Sequence, residues 1–258
     1  MPERNDGMTP MFRSNDLRHY INQRFAASAQ AASDRTFKEK APVPKPDDNK
    51  IGPVLKSFDA VVNHVLAAGG GGAPRALLVA GASAKIDATR ESIAIARALA
   101  DRGEQVVLAD LARGPAAISG PLELTRAPGL ADVGAGRAGF EDVVKIDTST
   151  PLQIIPAGNP QLASGKDENE RFTPVFEALA QAYDCVVLHA DLESLRKLTP
   201  ALRFELPVVV AVLPAEASTR NGKPDLTAFS SLGCPVLVYE QNDRESRRSW
   251  LFRRVSVG

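Results

Sequence analysis

The sequence predicts an α/β fold, a three-layer sandwich with a mostly parallel sheet, on three observations. Short apolar runs without polar alternation recur along the chain, as expected for strands that are buried on both faces. Segments with helical periodicity lie between several of these runs. The first clear unit is a strand, a loop, a helix and a second strand. Such alternation produces right-handed crossovers, which place helices on both faces of a parallel sheet.

Composition narrows the function further. The chain has 258 residues, and its 31 Lys and Arg balance 31 Asp and Glu. A net charge of zero argues against a dedicated nucleic-acid binder. Two cysteines in apolar runs suggest no disulfide framework and fit a reducing compartment. Since we find neither a membrane-spanning run nor an apolar signal segment, we expect a cytoplasmic protein.

Residues 1–50 differ from the rest and predict a flexible N-terminal arm. The run KEKAPVPKPDDNK is typical of a disordered tether. Within the arm, DLRHYINQRFAASAQA places four apolar side chains on one face of a short helix. This helix is either marginal and without a function or a docking helix for a partner. Its apolar residues are Leu17, Tyr20, Ile21 and Phe25.

Residues 51–242 are expected to form the α/β domain. An amphipathic helix is predicted over residues 53–68, where apolar residues from Leu55 to Val65 recur with a period of 3.6. Further helices are predicted for TRESIAIARALADRG, RFTPVFEALAQA, DLESLRKLT and KPDLTAFSSLG. The predicted strands are ALLVAGA, QVVLAD, LQIIPAG, YDCVVLHAD, LPVVVAVLP and CPVLVYE.

The loop after the first predicted strand has the position of a phosphate-binding loop but lacks its residues. Such a loop needs glycines, a lysine for the outer phosphates and a Ser or Thr hydroxyl for magnesium. Here the loop reads GASAKIDATR, and Gly81 is its only glycine. Lys85 and Asp87 stand where glycines belong, and Ala88 stands where the lysine belongs. Thr89 alone keeps the hydroxyl.

Asp87 is the most informative of these residues. A carboxylate at the beginning of a helix can cap it and suits the helix dipole, but it would repel a triphosphate. We interpret Asp87 as a structural replacement for phosphate. In the opposite interpretation the loop still binds phosphate, and Lys85 takes the place of the missing phosphate lysine. Together with Asp110 at the end of the next strand, these residues define a vestigial nucleotide cleft. Its members are Ser83, Lys85, Asp87, Thr89 and Asp110.

Four segments occur in an order that resembles a known family. They are QVVLADLARGP, PGLADVGAGRAGFEDVV, LQIIPAGNP and FEALAQAYDCVVLHAD. Over about residues 53–240 they resemble the cytoplasmic ATPase domain of bacterial tyrosine kinases of capsule and exopolysaccharide synthesis. That family belongs to the deviant P-loop class, which includes the chromosome-partitioning and division-site ATPases. The resemblance implies a P-loop NTPase-like fold.

The chain departs from this family at its catalytic motifs. The second-strand motif keeps Asp110, but its second acidic position is Ala112 or Leu111, depending on a one-residue gap. His189 stands where the resemblance places a magnesium-linked aspartate. Asp191, two residues later, could supply that carboxylate only from a position shifted roughly 7 Å along the strand. The family's C-terminal tyrosine cluster is also absent from the tail. Phosphoryl transfer depends on positioning and charge neutralisation, so these losses predict a chain without catalysis.

Two other residues, His189 and Cys185, carry groups that are common in catalytic and metal sites. His189 would serve as a base or a ligand, but no second histidine or cysteine motif accompanies it, and a satisfied, partly buried histidine is favoured. Cys185 lies within an apolar run and is interpreted as core packing.

The C-terminal tail, residues 243–258, is basic and aromatic. From Arg244 to Arg254 it carries five arginines against one glutamate, and these surround Trp250, Leu251 and Phe252. This pattern suits anionic lipid headgroups or the cytoplasmic loops of a membrane protein. In the other interpretation, the tail is solvated and Trp250 packs back on the domain. The predicted docking residues are Arg247, Arg248, Trp250, Phe252, Arg253 and Arg254.

The resemblance and its departures together predict a non-catalytic, pseudokinase-like component of exopolysaccharide synthesis or export. It would act through a membrane polysaccharide co-polymerase at the inner membrane, with self-association as a further expectation and no cofactor. The first alternative is a divergent ATPase or tyrosine autokinase that uses ATP and magnesium through Lys85, Thr89, Asp110 and Asp191. The second is a membrane-associated positioning protein related to the division-site ATPases.

Overall fold

The fold is taken from a computed structural model of the chain. The predicted arm, with its helix, and the predicted basic tail lie outside the residues that the structure describes. The described residues are 51–70, 75–114, 117–162, 168–202, 208–214, 226–230, 232 and 234–241.

Strands and helices alternate along the described chain. The strands are β1 (Ile51–Leu55), β2 (Ala76–Gly81), β3 (Val106–Asp110), β4 (Lys145–Ile146), β5 (Gln153–Ile155), β6 (Cys185–Ala190), β7 (Val208–Leu213) and β8 (Val236–Glu240). The helices are α1 (Phe58–Ala68), α2 (Thr89–Ala100), α3 (Leu130–Gly134), α4 (Phe140–Val143), α5 (Glu168–Ala182), α6 (Leu192–Leu202) and α7 (Thr227–Ser230).

Among the described residues, eight strands form one sheet in the order β1-β8-β7-β2-β6-β3-β5-β4. The pairs along this order are parallel except the last, in which β4 runs antiparallel to β5. The predicted mostly parallel sheet is therefore confirmed. Since parallel strands end at the same edge, the residues that follow β2, β3, β6, β7 and β8 meet there.

Helices cover both faces of the sheet and make the three layers that the sequence predicts. In β2, Leu77 and Val79 pack on the face that α1 and α2 cover. Leu78 and Ala80 pack on the opposite face with side chains of α3, α5 and α6. All six residues of β2 are buried, which explains why the strand shows no polar alternation.

The start of the first predicted helix is wrong. Residues 51–55 form β1, which pairs with β8 at the edge of the sheet, and the helix begins at Phe58. Leu55 fits the helical period in the sequence, but it is a buried strand residue. Pairing with a strand almost 200 residues away is a tertiary effect that a local period cannot show.

None of the helices in the described part of the chain is both long enough and apolar enough to span a bilayer.

Candidate functional site

The loop after β2 is closed on itself at the carboxyl edge of the sheet. The N–H of Ala82 donates to the carbonyl oxygen of Val212 in β7 at 2.8 Å, and that of Ile86 donates to the carbonyl oxygen of Ser83 at 3.0 Å. The Ile86 carbonyl oxygen comes so close to the strand that a Cβ added at Gly81 would lie 2.1 Å from it. Only glycine fits here, and the loop's own backbone fills the space beside it.

The side chains of Ser83, Lys85 and Asp87 are exposed on this loop. The Oδ1 atom of Asp87 accepts a hydrogen bond of 2.8 Å from the N–H of Thr89. Since α2 begins at Thr89, the bond satisfies one of the N–H groups that a helix leaves unpaired at its start. The predicted bond of Asp87 to the start of the helix is thus present, although it comes from the residue before the N-cap position Ala88. A phosphate oxygen would have to compete with this carboxylate for the same donor.

Thr89 and His189 face each other inside the domain. The Thr89 hydroxyl lies 3.4 Å from Nε2 of His189, and the Ser92 hydroxyl lies 2.8 Å from Nδ1. Ser92 donates its hydrogen to the carbonyl oxygen of Ala88 at 2.9 Å, so Nδ1 donates to the serine oxygen. With 1% of its surface exposed, His189 is more buried than the partly buried histidine that the sequence predicts.

Asp110 holds the loop that follows β3. Its two carboxylate oxygens accept hydrogen bonds from the N–H groups of Ala112 at 2.9 Å and Ile118 at 3.0 Å. Burial raises the pKa of Asp110, although nearby His189 and Arg126 and the two N–H donors act in the opposite direction. Asp110 is 1% exposed, so both oxygens serve the protein's own backbone.

Asp191 directly precedes α6 and ties its first turn to the same loop. Oδ1 accepts the N–H of Ser194 at 2.7 Å, and Oδ2 accepts those of Arg113 at 2.8 Å and Gly114 at 3.3 Å. Burial raises the pKa of Asp191, but these donors outweigh burial and hold it below the usual value. The ionised carboxylate is thus used as a helix cap.

Arg126 secures the other side of the loop. Its guanidinium donates to the carbonyl oxygens of Gly114 at 2.9 Å and of Ala112 and Arg113 at 3.0 Å. The Nε atom donates to the carbonyl oxygen of Gly158 at 3.3 Å. The backbone of residues 112–114 is therefore held by carboxylates through its N–H groups and by Arg126 through its carbonyl groups.

A small cavity lies beside this loop, lined by Asp110, Arg113, Arg126, Leu130 and Phe172 among others. Its volume of ≈ 10 Å³ leaves room for about one water molecule. Ligand pockets usually measure about 300–1,000 Å³. Among the described residues, no group of three or more His, Cys, Asp or Glu side chains is arranged to hold a metal ion.

The predicted cleft residues are thus brought to one edge of the sheet but serve different contacts. Ser83, Lys85 and Asp87 are exposed on the loop, whereas Thr89 and Asp110 are buried and bonded to protein groups. Two groups of the type that holds magnesium, the Thr89 hydroxyl and the Asp110 carboxylate, are therefore bonded to protein groups in this arrangement.

The sequence prediction missed several residues of this region. Ser92 could have been found, because it lies three residues after Thr89 and so on the same helix face. The side chain of Gln241 donates to the Asp87 carbonyl oxygen at 3.1 Å and to Oε1 of Glu91 at 3.2 Å. No local pattern marks Gln241, because the contact joins residues about 150 positions apart.

Other candidates have structural roles. Cys185 is 0% exposed, which confirms core packing, and this burial raises the pKa of its thiol to about 12. Tyr183 and Tyr239 are 5% and 4% exposed, and the Tyr183 hydroxyl donates to Oε1 of Gln153 at 2.6 Å. Neither of these two tyrosines is accessible for phosphorylation. The predicted docking residues of the tail lie outside the described residues: Arg247, Arg248, Trp250, Phe252, Arg253 and Arg254.

The sequence matches no model of a protein family, and no curated protein has a significantly similar sequence. Solved structures resemble the fold. The kinase domain of the Escherichia coli tyrosine kinase ETK has a TM-score of 0.53 and 14% identity, over 65% of this chain and 67% of that one. The VpsO kinase domain has a TM-score of 0.55 and 19% identity, over 72% of this chain and 93% of that one.

A different enzyme shares the same architecture. Cobyrinic acid a,c-diamide synthase from Mycobacterium smegmatis, solved with an ATP analogue and magnesium, has a TM-score of 0.50 and 20% identity, over 71% of this chain and 83% of that one. At such identities the similarity shows the fold alone. The α/β fold with its mostly parallel sheet therefore matches P-loop NTPase-like proteins, among them tyrosine kinase domains.

Proposed function

We propose that this protein is a non-catalytic, pseudokinase-like cytoplasmic component of exopolysaccharide synthesis or export. It uses a P-loop-type fold as a scaffold and acts through a membrane polysaccharide co-polymerase. The kinase-domain fold of its structural neighbours and the order of its four sequence segments support the pathway. The closed site supports the lack of catalysis.

One observation carries the proposal: the groups that a P-loop enzyme directs at magnesium and phosphate are directed here at the protein itself. The Thr89 hydroxyl faces His189, and Asp87 accepts the first N–H of α2. Asp110 and Asp191 accept backbone N–H groups of the following loop. Binding Mg-ATP would require breaking several of these bonds before any new contact formed.

The first test is a titration with ATP and magnesium, followed by calorimetry and by the shift in melting temperature. We expect no heat of binding and no stabilisation at millimolar ligand. A ligand present at ten times its Kd would stabilise the fold by about 1.4 kcal/mol, which such a melt detects.

The second candidate function is a divergent ATPase or tyrosine autokinase. It rests on the exposed Lys85 of the loop and on the neighbour solved with an ATP analogue. Lys85→Ala distinguishes it, with Lys56→Ala as a matched control at another exposed lysine. Micromolar binding that Lys85→Ala abolishes and Lys56→Ala preserves would overturn the non-catalytic proposal.

The proposal also assigns the basic tail to docking at the inner membrane, on the co-polymerase or on anionic lipid. Arginines beside Trp250 and Phe252 suit both surfaces. Replacing Arg247 and Arg248 with alanine should weaken co-purification with a co-expressed co-polymerase. If vesicles of anionic lipid alone retain the wild-type protein and not the variant, the tail binds lipid directly.

A further inference from the structure

Gln241 fastens the end of β8 to the loop after β2. Its backbone N–H donates to the carbonyl oxygen of Leu213 at 3.0 Å, which continues the pairing of β8 with β7. Its side-chain amide nitrogen has two hydrogens and two acceptors, the Asp87 carbonyl oxygen at 3.1 Å and Oε1 of Glu91 at 3.2 Å. One residue therefore joins the sheet, the loop and the first turn of α2.

The loop has little apolar packing of its own. Ala82 and Ile86 are half-buried, and every other side chain from Ser83 to Asp87 is exposed. Segments with few buried apolar contacts open at a low cost in free energy. Polar contacts such as those of Gln241 therefore have a large share in how often this loop opens.

Glu91 works against the closed loop. It is 6% exposed, and its Oε2 atom is buried without a hydrogen-bond donor among the described residues. Burial raises the pKa of Glu91 and the charge of Asp87 acts in the same direction, while the bond from Gln241 opposes them. The closed loop thus keeps a carboxyl group in surroundings that disfavour its charge. Water would supply the missing hydrogen bond if the loop opened.

We propose that Gln241 is a latch that holds the loop after β2 closed, and that the buried carboxyl group of Glu91 favours the release of this latch. The two residues act in opposite directions at one contact. Because the latch belongs to the end of β8, the loop stays closed only while that end of the strand keeps its position. The inference concerns the conformation of the loop and does not depend on whether the protein is catalytic.

Hydrogen exchange of the full-length protein, followed by mass spectrometry, measures this opening. The wild type is compared with Gln241→Met, which removes both side-chain donors and keeps the length of the side chain. Gln181→Met is the matched control, because Gln181 is exposed on α5. Peptides that cover residues 82–89 report on the loop. Peptides that cover β3 report on the sheet, because β3 is paired on both sides.

In Gln241→Met we expect the loop to exchange roughly 10- to 100-fold faster, the effect of losing two hydrogen bonds, while β3 and the control keep the wild-type rate. In Glu91→Gln we expect the loop to exchange more slowly than in the wild type. That substitution removes the charge which opposes closure and keeps an acceptor for Gln241. Two residues that merely packed together would both speed exchange when replaced.

Two results for Gln241→Met would overturn the proposal. A loop that exchanges at the wild-type rate would show that Gln241 does not hold it closed. Acceleration shared equally by the loop and β3 would show that Gln241 supports the whole sheet and is not a latch. If Gln241→Met does not fold, Glu91→Gln decides the question alone. Slower exchange of the loop would support the proposal, whereas an unchanged or faster rate would contradict it.

Discussion

Replacing Asp110 should cost stability, because its carboxylate holds the loop after β3. Its two oxygens accept the N–H groups of Ala112 and Ile118, which are 1% and 0% exposed. A buried N–H group without an acceptor costs about 1–3 kcal/mol, so Asp110→Ala should lower the free energy of unfolding by about 2–6 kcal/mol. Asp110→Asn keeps one acceptor oxygen and should lose about half as much.

The free energy of unfolding should depend on pH, because burial raises the pKa of Asp110 in the folded state. The folded state binds the proton more tightly than the unfolded chain, where the value is near 3.8. The contribution of Asp110 to the free energy of unfolding is therefore largest below pH 3.8. It declines as the pH rises through the higher pKa that Asp110 has in the folded state. Since asparagine does not titrate, the stability difference between wild type and Asp110→Asn should narrow over the same range.

Urea unfolding followed by circular dichroism measures both effects. Glu177→Ala is the control, because an exposed helix position should change stability by no more than about 0.5 kcal/mol. An Asp110→Ala variant that unfolds at the same urea concentration as the wild type would refute the reasoning. A carboxylate kept for nucleotide chemistry would show the reverse pattern, with stability retained and nucleotide affinity lost.

Two further predictions concern the other carboxylates. Arg97 binds Asp147 through two hydrogen bonds of 3.0 and 2.7 Å, and the Asp147 side chain is 2% exposed, so Arg97→Ala should cost about 2 kcal/mol in the same assay. Lys197→Ala, which breaks an exposed ion pair within α6, should cost under about 0.5 kcal/mol. If Arg97→Ala and Lys197→Ala lowered the free energy of unfolding equally, burial would not be what makes the first pair stabilising. The pKa of Asp191 is lowered by its N–H donors, so its contribution is present above the unfolded value of 3.8 and is lost as the pH falls through the folded value. Asp191→Asn should remove this acid-dependent loss, as thermal melts from neutral pH to below the unfolded value of 3.8 can show.

The fold could be predicted because its signals are local. A buried parallel strand reads as an apolar run, and β2, β3, β6, β7 and β8 each lie within a predicted run. The helix that begins at Thr89 is marked by its acidic neighbour Asp87, and the capping bond is present. These features depend on residues a few positions apart, so periodicity and helix capping are sufficient to find them.

The missed features are contacts between distant residues. Edge strand β1 exists because Ile51 pairs with Val236, and neither residue shows this in its own segment. The bond between Gln241 and Glu91 depends on the order of strands in the sheet. His189 shows the same limit, because its two hydroxyl partners lie in α2, 100 and 97 positions earlier in the chain.

The contacts also explain why restoring one motif residue would not restore the site. Ala88 stands where a phosphate lysine belongs, yet it is 1% exposed and its carbonyl oxygen accepts the Ser92 hydroxyl. A lysine there would bring a charge to a buried position, while Asp87 would still occupy the first N–H of α2 and His189 would still face Thr89. If the proposed loss of nucleotide binding holds, phosphate binding would return only with coordinated changes in the loop and in β6. Each intermediate would lose an existing hydrogen bond before it gained a ligand contact.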